Sequence, residues 1–237
     1  MMLAEMTWKE VAAYLEHDDR IIVPVGSTEQ HGPRAVIGTD HLVPAGIARE
    51  AGRRSGVLVA PTLPYGMSLH HMAFPGTISL RSSTLLQVTC DILASLARHG
   101  FRRILLLNGH GGNTPVLLSG VAEANDVHGE LRIKVVSWWE LPGVKVVLDQ
   151  AFGEKEDGHG TPGETSLVMA LHPGVVSDRP VEVRPVVHPA VWPNAQVWAE
   201  HYPDGSAGAD VNLASEEWGR RLLEAAVAAV LEELERW

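Results

Sequence analysis

Four short apolar runs alternate with longer segments of helical period along the chain. The runs are Arg20-Ile-Ile-Val-Pro-Val-Gly26, Val57-Leu-Val-Ala-Pro61, Arg103-Ile-Leu-Leu-Leu-Asn108 and Arg132-Ile-Lys-Val-Val-Ser-Trp138. Each is too continuous for a strand with one face in water, so each reads as a strand buried on both faces. Between them the spacing predicts helices. Thr7 and Glu10 form a capping box at the head of the first. Residues 41–54 follow Asp40. Residues 82–99 place Leu85, Val88, Thr89, Ile92 and Leu96 on one face and stop at Gly100. Residues 114–128 follow Asn113, and residues 215–236 stack Trp218, Leu222, Ala225, Ala229 and Leu234 after Ser215. Strand–helix alternation of this kind predicts an α/β fold with a mainly parallel sheet covered on both faces. The stretch 174–213 is rich in Pro and Val, has no clear helical period, and reads as an irregular excursion: a lid or an oligomer contact. The whole of 1–237 reads as one domain, a length that suffices for a real core.

Composition narrows the chemistry. The formal charge is −10, which argues against a nucleic-acid partner, because phosphate binding needs surplus cations. The longest apolar stretches are about 7 residues, against the roughly 20 that a membrane helix needs, and the N-terminus has no signal-peptide pattern. A cytoplasmic location with no membrane partner is therefore expected. There is 1 Cys, Cys90, so neither an intrachain disulfide nor a thiolate metal cluster is available. There are 12 His, roughly twice average usage. A bound metal would have to use imidazole and carboxylate, donors that suit Zn, Mn or Fe.

Ligands of open α/β sheets bind beyond the carboxyl ends of the strands, and the polar residues gather there. Gly26-Ser-Thr-Glu-Gln-His-Gly-Pro33 and Gly38-Thr-Asp40 follow the first strand, and Asn108-Gly-His-Gly-Gly-Asn113 follows the third. Tyr65–Gly76 and Asp157–Ser166 complete a set of four Gly-rich segments, all carrying His, Asp or Glu. In extended chain, residues i and i+2 point the same way, so Glu29 and His31 can converge on one ion or on two adjacent ions. Asp40 at a helix head is either a cap or a metal bridge, and His110 sits on a turn that lets backbone approach a ligand.

These motifs together resemble the creatininase (creatinine amidohydrolase) family. Pro24–Pro33 with Gly38-Thr-Asp40, then Phe74–Leu80, Asn108–Asn113 and Gly163-Glu-Thr-Ser166, fall in the family's order over roughly residues 5–172. The resemblance implies a three-layer αβα sandwich and a metal-dependent amidohydrolase. It implies two divalent metal ions per subunit and a homo-oligomer, a hexamer among the options. Carried over residue by residue, Glu29 matches a ligand to one metal, His31 a ligand to the other, Asp40 the bridging carboxylate and His110 a ligand on the Glu29 side. His159, five residues before Glu164, matches the catalytic imidazole. There is a departure. Creatininase has a Glu two residues after the His110 equivalent and an aromatic residue one after it; here stand Gly112 and Gly111. Glu164 is the candidate carboxylate for the second metal, its competing role being a helix-start acid. Loss of the ring at 111 implies a wider pocket.

The chemistry expected of such a site is attack by a hydroxide shared between the ions on an amide, cyclic amide or formamide, with His159 protonating the leaving nitrogen. Ser68, His71 and Asn113 are candidate substrate contacts, although Asn113 also suits a turn. Trp138 and Trp139 suit core packing or a pocket wall. His17, His99, His128, His172, His188 and His201 receive no functional role. The substrate class is a small amide, with a short peptide, as in cofactor-precursor trimming, as the alternative. A phosphate- or nucleotide-binding module is a further alternative, weakened by the lack of a P-loop or dinucleotide fingerprint. A serine hydrolase lacks its Gly-x-Ser-x-Gly.

Overall fold

The computed structural model describes residues 1–185 and 194–237. His188 and part of the 174–213 excursion lie outside the described residues. The four apolar runs form β1 (Arg20–Val25), β2 (Leu58–Val59), β3 (Arg103–Asn108) and β4 (Arg132–Ser137). They pair in the order β2-β1-β3-β4, all parallel, with Val25 opposite Asn108 and Asn108 opposite Ser137. β1, β3 and β4 therefore end level with one another, and the loops that leave them start from one edge.

Successive strand residues point to opposite faces, and each face has its own helical layer. Ile22, Leu105 and Leu107 pack against α2 (Thr39–Ser55), α5 (Pro142–Ala151), α6 (Pro162–Leu171) and α8 (Glu216–Glu235). Ile21, Val23, Ile104 and Leu106 pack against α3 (Ser82–His99) and α4 (Thr114–Val127). This is the αβα sandwich. Trp138, 2% exposed, belongs to the first of these cores, with Trp139 edge-on to it.

Helix boundaries follow the capping chemistry. At α1 (Trp8–Leu15), the Thr7 N–H donates to Glu10 and the Glu10 N–H donates back to Thr7 Oγ1. Ser215 Oγ accepts from the Trp218 N–H at the start of α8. α2 starts two residues earlier than the pattern predicts. The Gly38 carbonyl accepts from both His41 and Leu42, so Gly38 takes the cap position. Asp40 lies within the first turn, its carboxylate not used as a cap. The 174–213 excursion is more regular than expected, since it contains α7 (Ala195–His201) and a 3-10 turn at Val211–Leu213. Among the described residues, no helix is long and apolar enough to cross a membrane.

Candidate metal centre

Six polar residues from five segments meet beyond the carboxyl ends of β1 and β3. Glu29 and His31 come from the loop after β1, Asp40 from the first turn of α2, His110 from the loop after β3, His159 from the loop before α6, and Glu164 from α6. Two glycines allow the approach. A Cβ at Gly26 would lie 2.3 Å from the Asp40 carbonyl oxygen and one at Gly109 2.1 Å from it. The loops after β1 and β3 thus close on the start of α2 with backbone in direct contact, and Asp40 stands between them.

Asp40 Oδ1 is 2.9 Å from His31 Nε2, and Oδ2 is 3.1 Å from His110 Nδ1. His31 Nε2 is also 3.2 Å from Glu164 Oε1, and His110 Nε2 is 3.3 Å from Glu29 Oε2. Glu29 Oε1 is 3.9 Å from His159 Nδ1. Three sets of donor atoms lie close enough to hold one ion each: Glu29–Asp40–His110, His31–Asp40–Glu164 and Glu29–His31–His159. The first two share Asp40 and divide its two oxygens.

Backbone carbonyls decide which imidazole nitrogen is available. A carbonyl only accepts, so His31 Nδ1 donates to the Glu29 carbonyl at 3.1 Å, His110 Nε2 to the Met67 carbonyl at 2.9 Å, and His159 Nε2 to the Gln30 carbonyl at 2.7 Å. Each ring is left with one lone-pair nitrogen: His31 Nε2 faces Asp40 and Glu164, His110 Nδ1 faces Asp40, and His159 Nδ1 faces Glu29, while the protonated His110 Nε2 lies against Glu29 Oε2. Tautomers fixed in this way are how metal-ligating imidazoles are held. Lone pairs facing carboxylate oxygens need a cation between them. Two of those oxygens, Glu29 Oε1 and Asp40 Oδ2, are buried with no hydrogen-bond partner. An orphaned acceptor at this depth is costly, and a divalent cation satisfies it. The residues fit the metal, and their oxygen and imidazole donors match Zn, Mn or Fe.

Without a cation, protons take its place. Burial pushes the Glu29 carboxyl up to about 7 against the pull of His110. Burial opposes protonation of His31, but Asp40 and Glu164 overcome it and raise its pKa well above the ordinary value. For His110 burial acts the same way, and Glu29 and Asp40 raise it to about 9. Burial also opposes ionisation of Asp40, yet His31 and His110 hold it well below the carboxylate range. Burial and His31 lower His159 to about 4, which keeps that ring neutral.

Glu164 closes a capping box and at the same time faces the cluster. Its Oε1 accepts from the Thr161 N–H, closing a capping box with Thr161, and the same atom faces His31. Gly112 is buried, and a Cβ there would lie 2.5 Å from both His110 Nε2 and the Met67 carbonyl. This loop path admits no side chain at 112, so the carboxylate beside His31 comes from α6. A Cβ at Gly111 would meet nothing within 4 Å beyond its chain neighbours, and the residue is exposed.

The candidate substrate contacts Ser68, His71 and Asn113 are all buried and engaged with groups of the protein. Ser68 is fully buried and donates to Glu29 Oε2, so it braces the carboxylate. Asn113 is also fully buried; its Oδ1 accepts from the Met67 N–H and its Nδ2 donates to the Gly26 carbonyl. The turn role weighed for Asn113 is the one its contacts serve. His71, 1% exposed, has Nε2 3.4 Å from Glu29 Oε1 and Nδ1 2.9 Å from Gln30. Two participants carried no sequence signal. Trp198 of α7 stands edge-on to His71 and His159, with ring centroids 4.6 and 5.9 Å apart, and covers them. The strand-like contact of His159 with Ala207, N to O 2.8 Å, backs the imidazole from the excursion.

A parallel-sheet α/β protein with a buried carboxylate–imidazole cradle beyond its strand ends is a metal-centre protein by fold and site. The creatininase family model, described as creatinine amidohydrolase, matches residues 4–234, and the chain belongs to that family. It is 33% identical to creatinine amidohydrolase of Pseudomonas putida, over 97% of this chain and 94% of that protein. It is 38% identical to mycofactocin precursor peptide peptidase of Mycolicibacterium smegmatis, over 43% of each chain. Among solved structures, a crystal structure of creatinine amidohydrolase superposes with a TM-score of 0.90 at 32% identity, covering 99% of this chain and 96% of that one. A creatininase structure described as the Mn form gives 0.88 at 33%, covering 99% and 97%.

Two outcomes follow from this geometry. Folded His110 and Glu29 bind protons to higher pH than their ordinary values of 6.5 and 4.5 allow. Metal-free protein therefore loses stability as pH rises, from about 4.5 to 7 through Glu29 and from about 6.5 to 9 through His110. Thermal midpoints between pH 6 and 9 should fall, and added Zn or Mn should remove most of that slope, because the cation replaces the protons. A flat or rising profile without metal contradicts the assignment. Second, Glu164→Gln keeps the capping box, since Gln also serves there, but loses the charge. Titration with metal should show one of two ions bound at least about tenfold more weakly. Equal affinity for both ions would reduce Glu164 to a cap.

Proposed function

We propose that this chain is a metal-dependent hydrolase that cleaves a C–N bond in an amide, cyclic amide or formamide. The observation that carries the reading is the pair of donor sets that share Asp40, each completed by an imidazole whose lone pair faces inward. Two divalent cations held there would polarise a substrate carbonyl and make a water acidic enough to attack near neutral pH.

The protein's own groups supply the rest. Asp40 spans both donor sets and fixes their spacing. Glu29, 1% exposed and braced by Ser68, keeps one set rigid. His159 is the proton carrier. Its Nδ1 is free, its Nε2 is anchored on the Gln30 carbonyl, and its side chain, 15% exposed, is more open than those of His31 and His110. It can take a proton at Nδ1 and deliver it to the departing nitrogen, which would otherwise leave as an unstable anion. Trp198 excludes water over His71 and His159.

The second reading is trimming of a short peptide, an activity named for one of the relatives. The phosphate-binding reading is disfavoured. In the Asn108–Asn113 loop the His110 N–H donates to Asn108 Oδ1 and the Asn113 N–H to the His110 carbonyl, so these donors are consumed within the loop. The surrounding carboxylates favour cations over anions.

The test is turnover of a panel of cyclic amides, formamides and short peptides by metal-loaded wild type and by His159→Ala. Wild type should turn over at least one class. The variant should keep its metal and lose about 10²–10⁴-fold in rate. Equal turnover by His159→Ala removes His159 from the chemistry, and no turnover of any amide class by metal-loaded wild type counts against the hydrolase reading.

A further inference from the structure

Gln30 stands between Glu29 and His31, and in extended chain its side chain points away from theirs. It is 6% exposed, and every polar atom is engaged. Its N–H donates to Thr77 Oγ1 at 3.2 Å, and its Oε1 accepts from the Gly32 N–H at 2.8 Å. Its Nε2 donates to the Gly205 carbonyl at 3.1 Å and meets His71 Nδ1 at 2.9 Å. Its own carbonyl accepts from His159 Nε2 at 2.7 Å.

These contacts fix two tautomers at once. The Gly32 N–H identifies which end of the amide is oxygen, so the group facing His71 is the NH₂, which only donates. His71 therefore spends its Nδ1 lone pair on Gln30 and carries its proton on Nε2, 3.4 Å from Glu29 Oε1. His159 carries its proton on Nε2, toward the Gln30 carbonyl, and turns a bare Nδ1 to the same carboxylate oxygen at 3.9 Å. The two rings stack, centroids 4.3 Å apart and 24° between planes. One residue thus presents two neighbouring imidazoles to one oxygen with opposite polarity.

We propose that Gln30 is a positioning residue that sorts these histidines. It turns the His71 N–H toward Glu29 Oε1, 3.4 Å away and short of a closed hydrogen bond, so that this ring cannot ligate, and it makes His159 the bearer of a lone pair for a proton or a cation. Through Gly205 it also ties the segment that follows α7, and with it the Trp198 cover, to the backbone of the cradle. The proposal rests on the metal-centre reading for its consequence but not for the tautomers themselves.

The test uses ¹⁵N-labelled full-length protein, with long-range imidazole spectra recorded without metal and with zinc, for wild type, Gln30→Met and Gln30→Glu. Wild type should show His71 protonated at Nε2 and bare at Nδ1. Gln30→Met removes the donor, so His71 should populate both tautomers, and zinc should bind about 10–100-fold more weakly, as for loss of a group that orients a ligand. Gln30→Glu offers an acceptor instead, so His71 should move its proton to Nδ1. A role limited to fold stability would shift the unfolding midpoint and leave the tautomers as they are. His71 protonated at Nδ1 in wild type, or unchanged tautomers in both variants, overturns the proposal. Wild type that takes up no zinc overturns the metal-centre reading instead, while the spectra of the zinc-free protein still decide the role of Gln30. Should Gln30→Met fail to fold, the wild-type and Gln30→Glu spectra decide it.

Discussion

Two carboxylates, Glu29 and Asp40, are buried almost completely among imidazoles, with Glu164 close behind them. In a poorly solvated pocket this arrangement is untenable without positive charge, because an ionised carboxylate that loses its water must find a cation or a proton. The rest of the site follows from that requirement. Metal-free, the cluster draws protons onto His31, His110 and Glu29. Metal-bound, it would exchange them for two cations bridged by Asp40. The orphaned oxygens of Glu29 and Asp40 are the local sign of the missing charge.

The fold delivers the cluster through register and backbone proximity. β1 and β3 end at the same level, so their loops rise side by side. Gly26 and Gly109 let both loops touch the Asp40 carbonyl. α6 enters from the layer that packs on Ile22, Leu105 and Leu107, and Leu167 and Val168 fix it there. Its capping box then sets the position of Glu164, so a local helix-start motif becomes part of the cradle. The same economy recurs at Gln30, which spends its backbone on one histidine and its side chain on another.

Much of this was legible in the sequence. Buried parallel strands announce themselves as unbroken apolar runs, and the period-2 rule placed Glu29 and His31 together. The contact of Gln30 with His71, 41 residues on, has no local signature. A helix-start acid and a bridging acid look alike at Asp40; with Gly38 at the cap position, its carboxylate is not used as a cap. A cap and a ligand look alike at Glu164, and its Oε1 both closes the capping box and faces His31. α7 escaped because 7 residues flanked by prolines are too few to show a helical period. Ser68 and Asn113 were placed on the pocket because polar residues in Gly-rich loops suggest substrate, whereas their contacts brace the loops.

The central claim is that Asp40 bridges two cations. Anomalous diffraction from crystals of protein purified without added metal, then loaded with zinc or manganese, tests it directly. The account predicts two peaks, one within Glu29–Asp40–His110 and one within His31–Asp40–Glu164, both absent in Asp40→Ala. A single peak not touching Asp40, or two peaks that persist in Asp40→Ala, would contradict it.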